Sequence, residues 1–330
     1  MAEVILSGLS KSFGATRALT DMTMTIPDGA FVVLLGPTGA GKTTTLRLIA
    51  GLDRPDAGDI RIAGRSVLAD TPAQRDVAMV FQQYSLYPHL TVRDNLAFPL
   101  RSPVLNWAEP DIARKVGEVA EVLRISHKLD NKATQLSGGE MQRVSIGRAL
   151  VRNPRIYLMD EPLSSLDAKL RADLRVELKR IHAELGATFL YVTHDQIEAM
   201  TMASHVGVLD QGKLVQFGTP REIYENPVST YVASRLGQPR INLLPADAFS
   251  APKPGAAQIG LRPEHVILGE GLPATVRRVE HLGDQTRLHL TMAGHEIVTL
   301  ADPHTPLAPG DRVAIRPETP LWFDASGNRI

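Results

Sequence analysis

Phe31-Val32-Val33-Leu34-Leu35-Gly36-Pro37-Thr38-Gly39-Ala40-Gly41-Lys42-Thr43-Thr44 is the stretch on which the reading of this chain turns. Its first five residues are apolar and rich in β-branching, and they stop at a glycine, as a buried parallel strand does. Residues 43–50 then carry helical patterning and end at Gly51, a C-cap candidate. Between them Gly36, Gly39, Gly41, Lys42 and Thr43 fit the phosphate-loop pattern in the right setting, strand before and helix after. Glycines let backbone N–H groups converge on phosphate oxygens, and the helix aims its positive end at the same anions. Lys42 is expected to neutralise the β- and γ-phosphates, and the Thr43 hydroxyl to ligate Mg²⁺. The loop alone does not separate GTPases, kinases and motor ATPases.

Working outward, residues 77–81, 155–160, 188–193 and 205–209 read as further strands. Residues 84–151 are helical in character, with Ile112, Val116, Val119 and Leu123 on one stripe of a helix over 111–123. Another helix, over 168–185, repeats leucine or isoleucine every three or four residues and ends at Gly186. Alternating strands and helices predict an α/β core with a helical insertion. Beyond about residue 236 the texture changes. Pro239, Pro245, Pro252 and Pro254 crowd a linker-like stretch. Short β segments follow at 274–279, 286–291, 296–300 and 312–315, which predicts a small all-β barrel or sandwich.

Two further segments carry chemistry. Ile156-Tyr157-Leu158-Met159-Asp160-Glu161 is an apolar strand ending in two carboxylates. Beside a phosphate loop, Asp160 suits a Mg²⁺ ligand and Glu161 the residue that orients or deprotonates the attacking water. Leu136-Ser137-Gly138-Gly139-Glu140 opens a helix through residue 152, with Ser137 as natural N-cap and two glycines exposing the helix's free N–H groups.

Taken together, these segments resemble the ATP-binding cassette proteins. Residues 136–143 look like their signature motif, 36–43 their Walker A loop and Asp160-Glu161 their Walker B pair. Gln82 stands at the Q-loop position, Ser164-Ser165-Leu166-Asp167 resembles the D-loop, and His194 in Thr193-His194-Asp195 resembles the switch histidine. All follow the family order across roughly residues 1–235. The resemblance implies a P-loop NTPase cassette, with a RecA-like core and a helical subdomain at about 84–151. It implies a regulatory all-β domain of TOBE/OB-like type over 236–330.

It also implies roles. Gly36, Pro37, Thr38, Gly39, Ala40, Gly41, Lys42, Thr43 and Thr44 would bind ATP, with Phe13 stacked on adenine. Thr43, Gln82 and Asp160 would hold Mg²⁺. Glu161, His194, Gln82 and Lys42 would serve hydrolysis. Cassettes of this family pair head to tail, so Ser137, Gly138 and Gly139 would contact the γ-phosphate of ATP held by a partner, and Asp167 would structure the path between the two sites. Glu140 departs from the Gln that many importers carry, for which a tuning effect is expected.

Chain organisation selects among branches of the family. There is no long coiled coil between ATPase halves, no second cassette and no fused membrane helix; no segment reaches the ~18 consecutive apolar residues of a membrane span. Gly260-Leu261-Arg262-Pro263-Glu264-His265 is similar to a segment of the regulatory domain in sugar importers. Residues 81–90, 160–164 and 191–200 also look like importers of the maltose type. The expected assembly is a homodimer or a pair with a close homologue, two integral-membrane permease subunits docked partly at 84–91, and an extracytoplasmic solute-binding protein. The solute would be a carbohydrate, polyol or related compound.

Composition agrees with this. The 330 residues are 43% hydrophobic and 22% charged, with zero formal net charge and no cysteine. This excludes disulfides and cysteine-ligated metals, and leaves no global field toward nucleic acid. The opening Met1-Ala2-Glu3-Val4-Ile5 lacks signal-peptide features. Peripheral attachment to the cytoplasmic face of a bacterial inner membrane is expected. The competing class is a soluble cassette ATPase acting on nucleic acid or as a regulator, against which the absence of a basic stripe argues.

Overall fold

The computed structural model describes residues 2–103, 105, 107–249 and 252–330. They form two compact units, one up to Pro220 and one over Arg221–Ile330.

The first unit opens with a long hairpin, β1 (Val4–Phe13) and β2 (Thr16–Ile26), which sequence patterning did not single out. Then come β3 (Phe31–Leu35), α1 (Lys42–Ala50), β4 (Ala57–Ile62), β5 (Arg65–Ser66) and β6 (Val77–Val80). The insertion contains α2 (Val92–Ala97), α3 (Glu109–Val122) and α4 (Gly138–Leu150). The core resumes with β7 (Ile156–Asp160), α5 (Ala168–Leu185), β8 (Thr188–Thr193), α6 (Gln196–Met202), β9 (His205–Asp210) and β10 (Lys213–Gly218). One sheet runs β10-β9-β3-β8-β7-β6, parallel except for the β10 edge; an antiparallel sheet runs β2-β1-β4-β5. Every residue of β3, β7 and β8 is buried, which is why those strands read as unbroken apolar runs. Their carboxyl ends lie side by side, and at that edge an α/β sheet builds its sites.

The second unit adds two short helices, α7 (Pro220–Glu225) and α8 (Thr230–Ala233), to an all-β body. Its strands are β11 (Asn242–Pro245), β12 (Gln258–Leu261), β13 (Val266–His281), β14 (Thr286–Met292), β15 (His295–Ala301), β16 (Arg312–Pro317) and β17 (Leu321–Phe323). They make two antiparallel ladders, β11-β12-β17 and β15-β14-β13-β16. One core joins them, Leu244, Ile259 and Leu261 packing with Val276, Leu288, Leu290 and Ile315. The proline-rich stretch expected as linker contains β11, an edge strand on which Pro245 costs no ladder bond.

The expected boundary at 235/236 also moves. Residues 221–235 cluster with the C-terminal unit, and Arg262 grips them. This guanidinium, in a residue 2% exposed, donates to the carbonyls of Ala233, Leu236 and Tyr224 and lies 3.8 Å from the Tyr224 ring centre. Tyr224 donates its hydroxyl to Glu264, so the Arg262-Pro263-Glu264 segment fastens α7 and α8.

Candidate functional site

The turn from β3 into α1 is made by glycines for steric reasons. Gly41 sits at φ +98°, and a Cβ there would lie 2.6 Å from Leu19 and 2.7 Å from the Ala18 carbonyl; one on Gly36 would meet the Leu209 carbonyl at 2.7 Å. Lys42, in a residue 5% exposed, donates from Nζ to the Gly36 and Pro37 carbonyls at 2.9 and 3.0 Å. Pro37, Thr38, Gly39, Ala40 and Thr44 complete the loop and the first turn of α1.

β7 delivers the two carboxylates to this loop. Asp160 Oδ1 accepts the Thr43 hydroxyl at 2.9 Å. At 7% exposure, burial holds the Asp160 carboxyl above its ordinary range, with the Thr43 hydroxyl working against that and Glu161 adding to it. A buried carboxylate short of compensating charge next to a hydroxyl is a hard-oxygen donor pair of the kind Mg²⁺ takes, so these residues fit the ion. Glu161 is held at φ +43°, a left-handed backbone uncommon for a non-glycine residue, by its N–H donating to the Val192 carbonyl at 3.1 Å. Its carboxylate faces two cationic-capable groups: Lys42 Nζ at 3.6 Å from Oε1 and His194 Nδ1 at 3.0 Å from Oε2. His194 lies in the turn between β8 and α6 with its side chain 60% exposed. The structure thus assembles Lys42, Thr43, Asp160, Glu161 and His194 from three neighbouring strand ends.

Other expected residues lie apart. Gln82 is exposed just beyond β6, and among the described residues no hydrogen bond joins it to this cluster. Phe13, at the end of β1, is 49% exposed with the Lys11 ammonium 5.3 Å from its ring centre; it is a surface ring, not a core one. Asp167 caps α5, accepting from the Leu170 N–H at 3.0 Å. Ser137 caps α4, and Gly139 packs so closely that a Cβ would meet Leu170 at 2.2 Å. Glu140 closes a capping box: its Oε2 accepts from the Ser137 N–H and hydroxyl at 2.8 and 2.9 Å, while Oε1 pairs with Lys128 at 3.1 Å. That backbone N–H, with the hydroxyl and Lys128, holds the Glu140 carboxyl below its usual range.

A cavity of about 360 Å³ lies beside the 84–91 segment, lined by Phe81, Tyr84, Tyr87, Phe98 and Leu105 among others. The sequence reading missed what holds this loop. Fully buried Asn95 donates to the carbonyls of Tyr87, Leu90 and Thr91 and accepts the Tyr87 N–H. Arg148 of α4 stacks 4.9 Å from the Tyr87 ring centre and donates to the Ser85 carbonyl. An asparagine inside the apolar face of a short helix was the available signal.

Comparison with known proteins follows the same lines. A family model described as "ABC transporter" matches residues 19–164, and one described as "TOBE domain" matches 259–320. The chain is 44% identical to the sn-glycerol-3-phosphate import ATP-binding protein UgpC of Ruegeria sp. (strain TM1040), over 100% of this chain and 99% of that protein. It is 45% identical to the trehalose import ATP-binding protein SugC of Mycobacterium tuberculosis, over 88% and 79%. Among solved structures, a dimeric bacterial ABC transporter cassette matches with TM-score 0.60 at 29% identity, covering 66% of this chain and 99% of that one. An ABC cassette in its ADP conformation gives 0.62 at 26% identity, covering 70% and 98%.

Proposed function

This chain belongs to the ABC transporter family as an ATP-binding import ATPase of the sugar-importer type, and on that premise we propose how its residues do the work and for which cargo. The observation that carries the proposal is the continuous line Lys42–Glu161–His194, at 3.6 and 3.0 Å, alongside Thr43–Asp160 at 2.9 Å.

The loop N–H groups and the α1 N-terminus receive the β- and γ-phosphates of ATP. Lys42 leaves the Gly36 and Pro37 carbonyls for phosphate oxygens, a stronger charge-assisted bond. Glu161, freed from Lys42, takes a hydrogen bond from the attacking water and aligns it with the γ-phosphorus. His194 holds the carboxylate at one end and meets the γ-phosphate with its other nitrogen. Mg²⁺, held by Thr43 and Asp160 with Gln82 brought in on closure, would supply charge neutralisation to the phosphates. Ser137, Gly138 and Gly139 would complete the site of a second copy, the helix N-terminus beyond the Ser137–Glu140 capping box offering its N–H groups to the partner's phosphate. Phe13 offers its exposed face to adenine, and Asp167 shapes the segment between the paired sites.

Permease subunits dock in the aromatic cavity beside residues 84–91, and an extracytoplasmic binding protein delivers the solute, a carbohydrate, polyol or glycerol-phosphate-like compound. Among the described residues no helix is long and apolar enough to cross a membrane, so attachment to the inner membrane's cytoplasmic face runs through those partners. The test is whether ATP hydrolysis rises when membrane subunits and a loaded binding protein are added. Stimulation by DNA or ribosomes instead would overturn the transport reading.

A further inference from the structure

The segment that runs from Glu161 to the head of α5 is shaped by one side chain from within that helix. Arg171 folds its guanidinium back so that Nε donates to the Leu163 carbonyl at 3.3 Å and one Nη to the Leu166 carbonyl at 2.9 Å. The other Nη lies 3.6 Å from Asp195 Oδ2. Asp195 directly follows His194, and its Oδ1 caps α6, accepting from the N–H groups of Ile197 and Glu198 at 2.7 and 3.4 Å. A single planar fork therefore joins the backbone two residues past Glu161 to the carboxylate one residue past His194. In front of it, Glu161 and His194 meet at 3.0 Å. The arrangement is a closed ring, with the hydrolytic pair on one side and Arg171 on the other.

We infer that Arg171 is a positioning residue for ATP hydrolysis, fixing the separation of Glu161 and His194 without touching either. The inference rests on the reading of those two as the hydrolytic pair. The chemistry suits arginine: two divergent carbonyls take N–H donors from one plane while the delocalised charge stays beside the Asp195 carboxylate, and a lysine ammonium is a point charge that cannot reach all three together. Without the fork, the 163–166 turn and the 194–195 turn lose their side-chain tie and are coupled only through the β7–β8 ladder and the Glu161 N–H to Val192 carbonyl bond behind them. Mutual misplacement of reacting groups by about 1 Å costs on the order of a hundredfold in rate.

The experiment measures ATP hydrolysis by the full chain for Arg171→Gln and Arg171→Lys, alone and in the His194→Ala background, with ATP affinity and thermal midpoint recorded for each. Arg171→Gln is expected to lower kcat roughly tenfold to a hundredfold while KM stays within about twofold. Arg171→Lys recovers part of that loss. In the His194→Ala background the same Arg171→Gln change costs less than about twofold, because the distance it controls no longer matters. A merely structural arginine gives an equal loss in both backgrounds, or a KM that rises as kcat falls; either result overturns the inference. Wild-type kcat in His194→Ala itself removes the premise, and the separate readout identifies which of the two has failed. Asp195→Asn approaches from the other end, keeping an acceptor for α6 while weakening the pair with Arg171; it is expected to lower kcat with KM unchanged, and wild-type kcat there also overturns the inference.

Discussion

Replacing Arg262 with alanine should loosen the C-terminal unit more than almost any other single change in it. The guanidinium serves three main-chain carbonyls, those of Tyr224, Ala233 and Leu236, and lies on the Tyr224 ring. Hydrogen bonds from a charged donor contribute about 1.5–3 kcal/mol each, which would sum too high. Burial opposes them, pushing the Arg262 pKa down, so part of that gain offsets desolvation. Truncation strands the three carbonyls in a dry site, and breaking such a buried network costs about 3–5 kcal/mol. The assay follows from the two tryptophans, Trp107 in the first unit and Trp322 in β17 of the second. In a Trp107→Phe background, urea unfolding followed by fluorescence reports on the C-terminal unit alone. With a slope of about 1.5 kcal/mol/M for a unit of this size, the midpoint should fall by about 2–3 M. Arg262→Lys should recover little of it. A shift below about 0.5 M would refute the reasoning, since the three carbonyls would then have found other donors at no cost.

Lys42→Ala should weaken ATP binding about tenfold to a hundredfold, the loss of one charged hydrogen-bonding group, and unchanged affinity in a nucleotide titration would remove Lys42 from the phosphate site. Glu161→Gln should bind ATP normally and hold a paired, closed state while turnover drops about 10²–10⁴-fold; wild-type turnover would sink its role toward water. Glu198 gives a pH signature. It is buried under Tyr191, whose hydroxyl it accepts at 2.8 Å, and burial raises its pKa above the ordinary 4.5. An acid with a raised folded-state pKa weighs against folding above that pKa, and the penalty fades as pH falls toward the unfolded value. Glu198→Gln should therefore melt above the wild type at pH 8, with the gap narrowing toward pH 4.5, and a gap independent of pH would count against the assignment.

What could be read in advance was whatever is encoded locally. The β3–loop–α1 unit, the β7 carboxylates and the Ser137 cap each announce themselves within a dozen residues, because strand burial, glycine geometry and helix capping are short-range matters. Sequence patterning passed over β1 and β2 although Met22–Ile26 alternates buried and exposed; register shifts between Leu6 and Ser12 confine that alternation to a short part of the hairpin. The compact units divide at 220/221, ahead of the expected 235/236, where Arg262 acts on residues 26 to 38 positions earlier and nothing in 221–235 itself records that hold. Arg171 shares this invisibility, an ordinary polar residue on a helix until the fold supplies two carbonyls around it, whereas Asn95 left a faint trace as a polar residue on an apolar face.

The loop at 84–91 owes its shape to side chains beneath it, Asn95 and Arg148, and very little to bonds between its own residues. Pro88 and His89 are exposed in this segment, and neither supplies any of the side-chain hydrogen bonds by which Asn95 and Arg148 hold it. Mutation can therefore rewrite the exposed surface at Pro88 and His89 while the chain path stays the same. On the proposed docking role, a lineage could exchange its transport partners by successive surface substitutions, each tolerated by a foundation that lies elsewhere in the sequence.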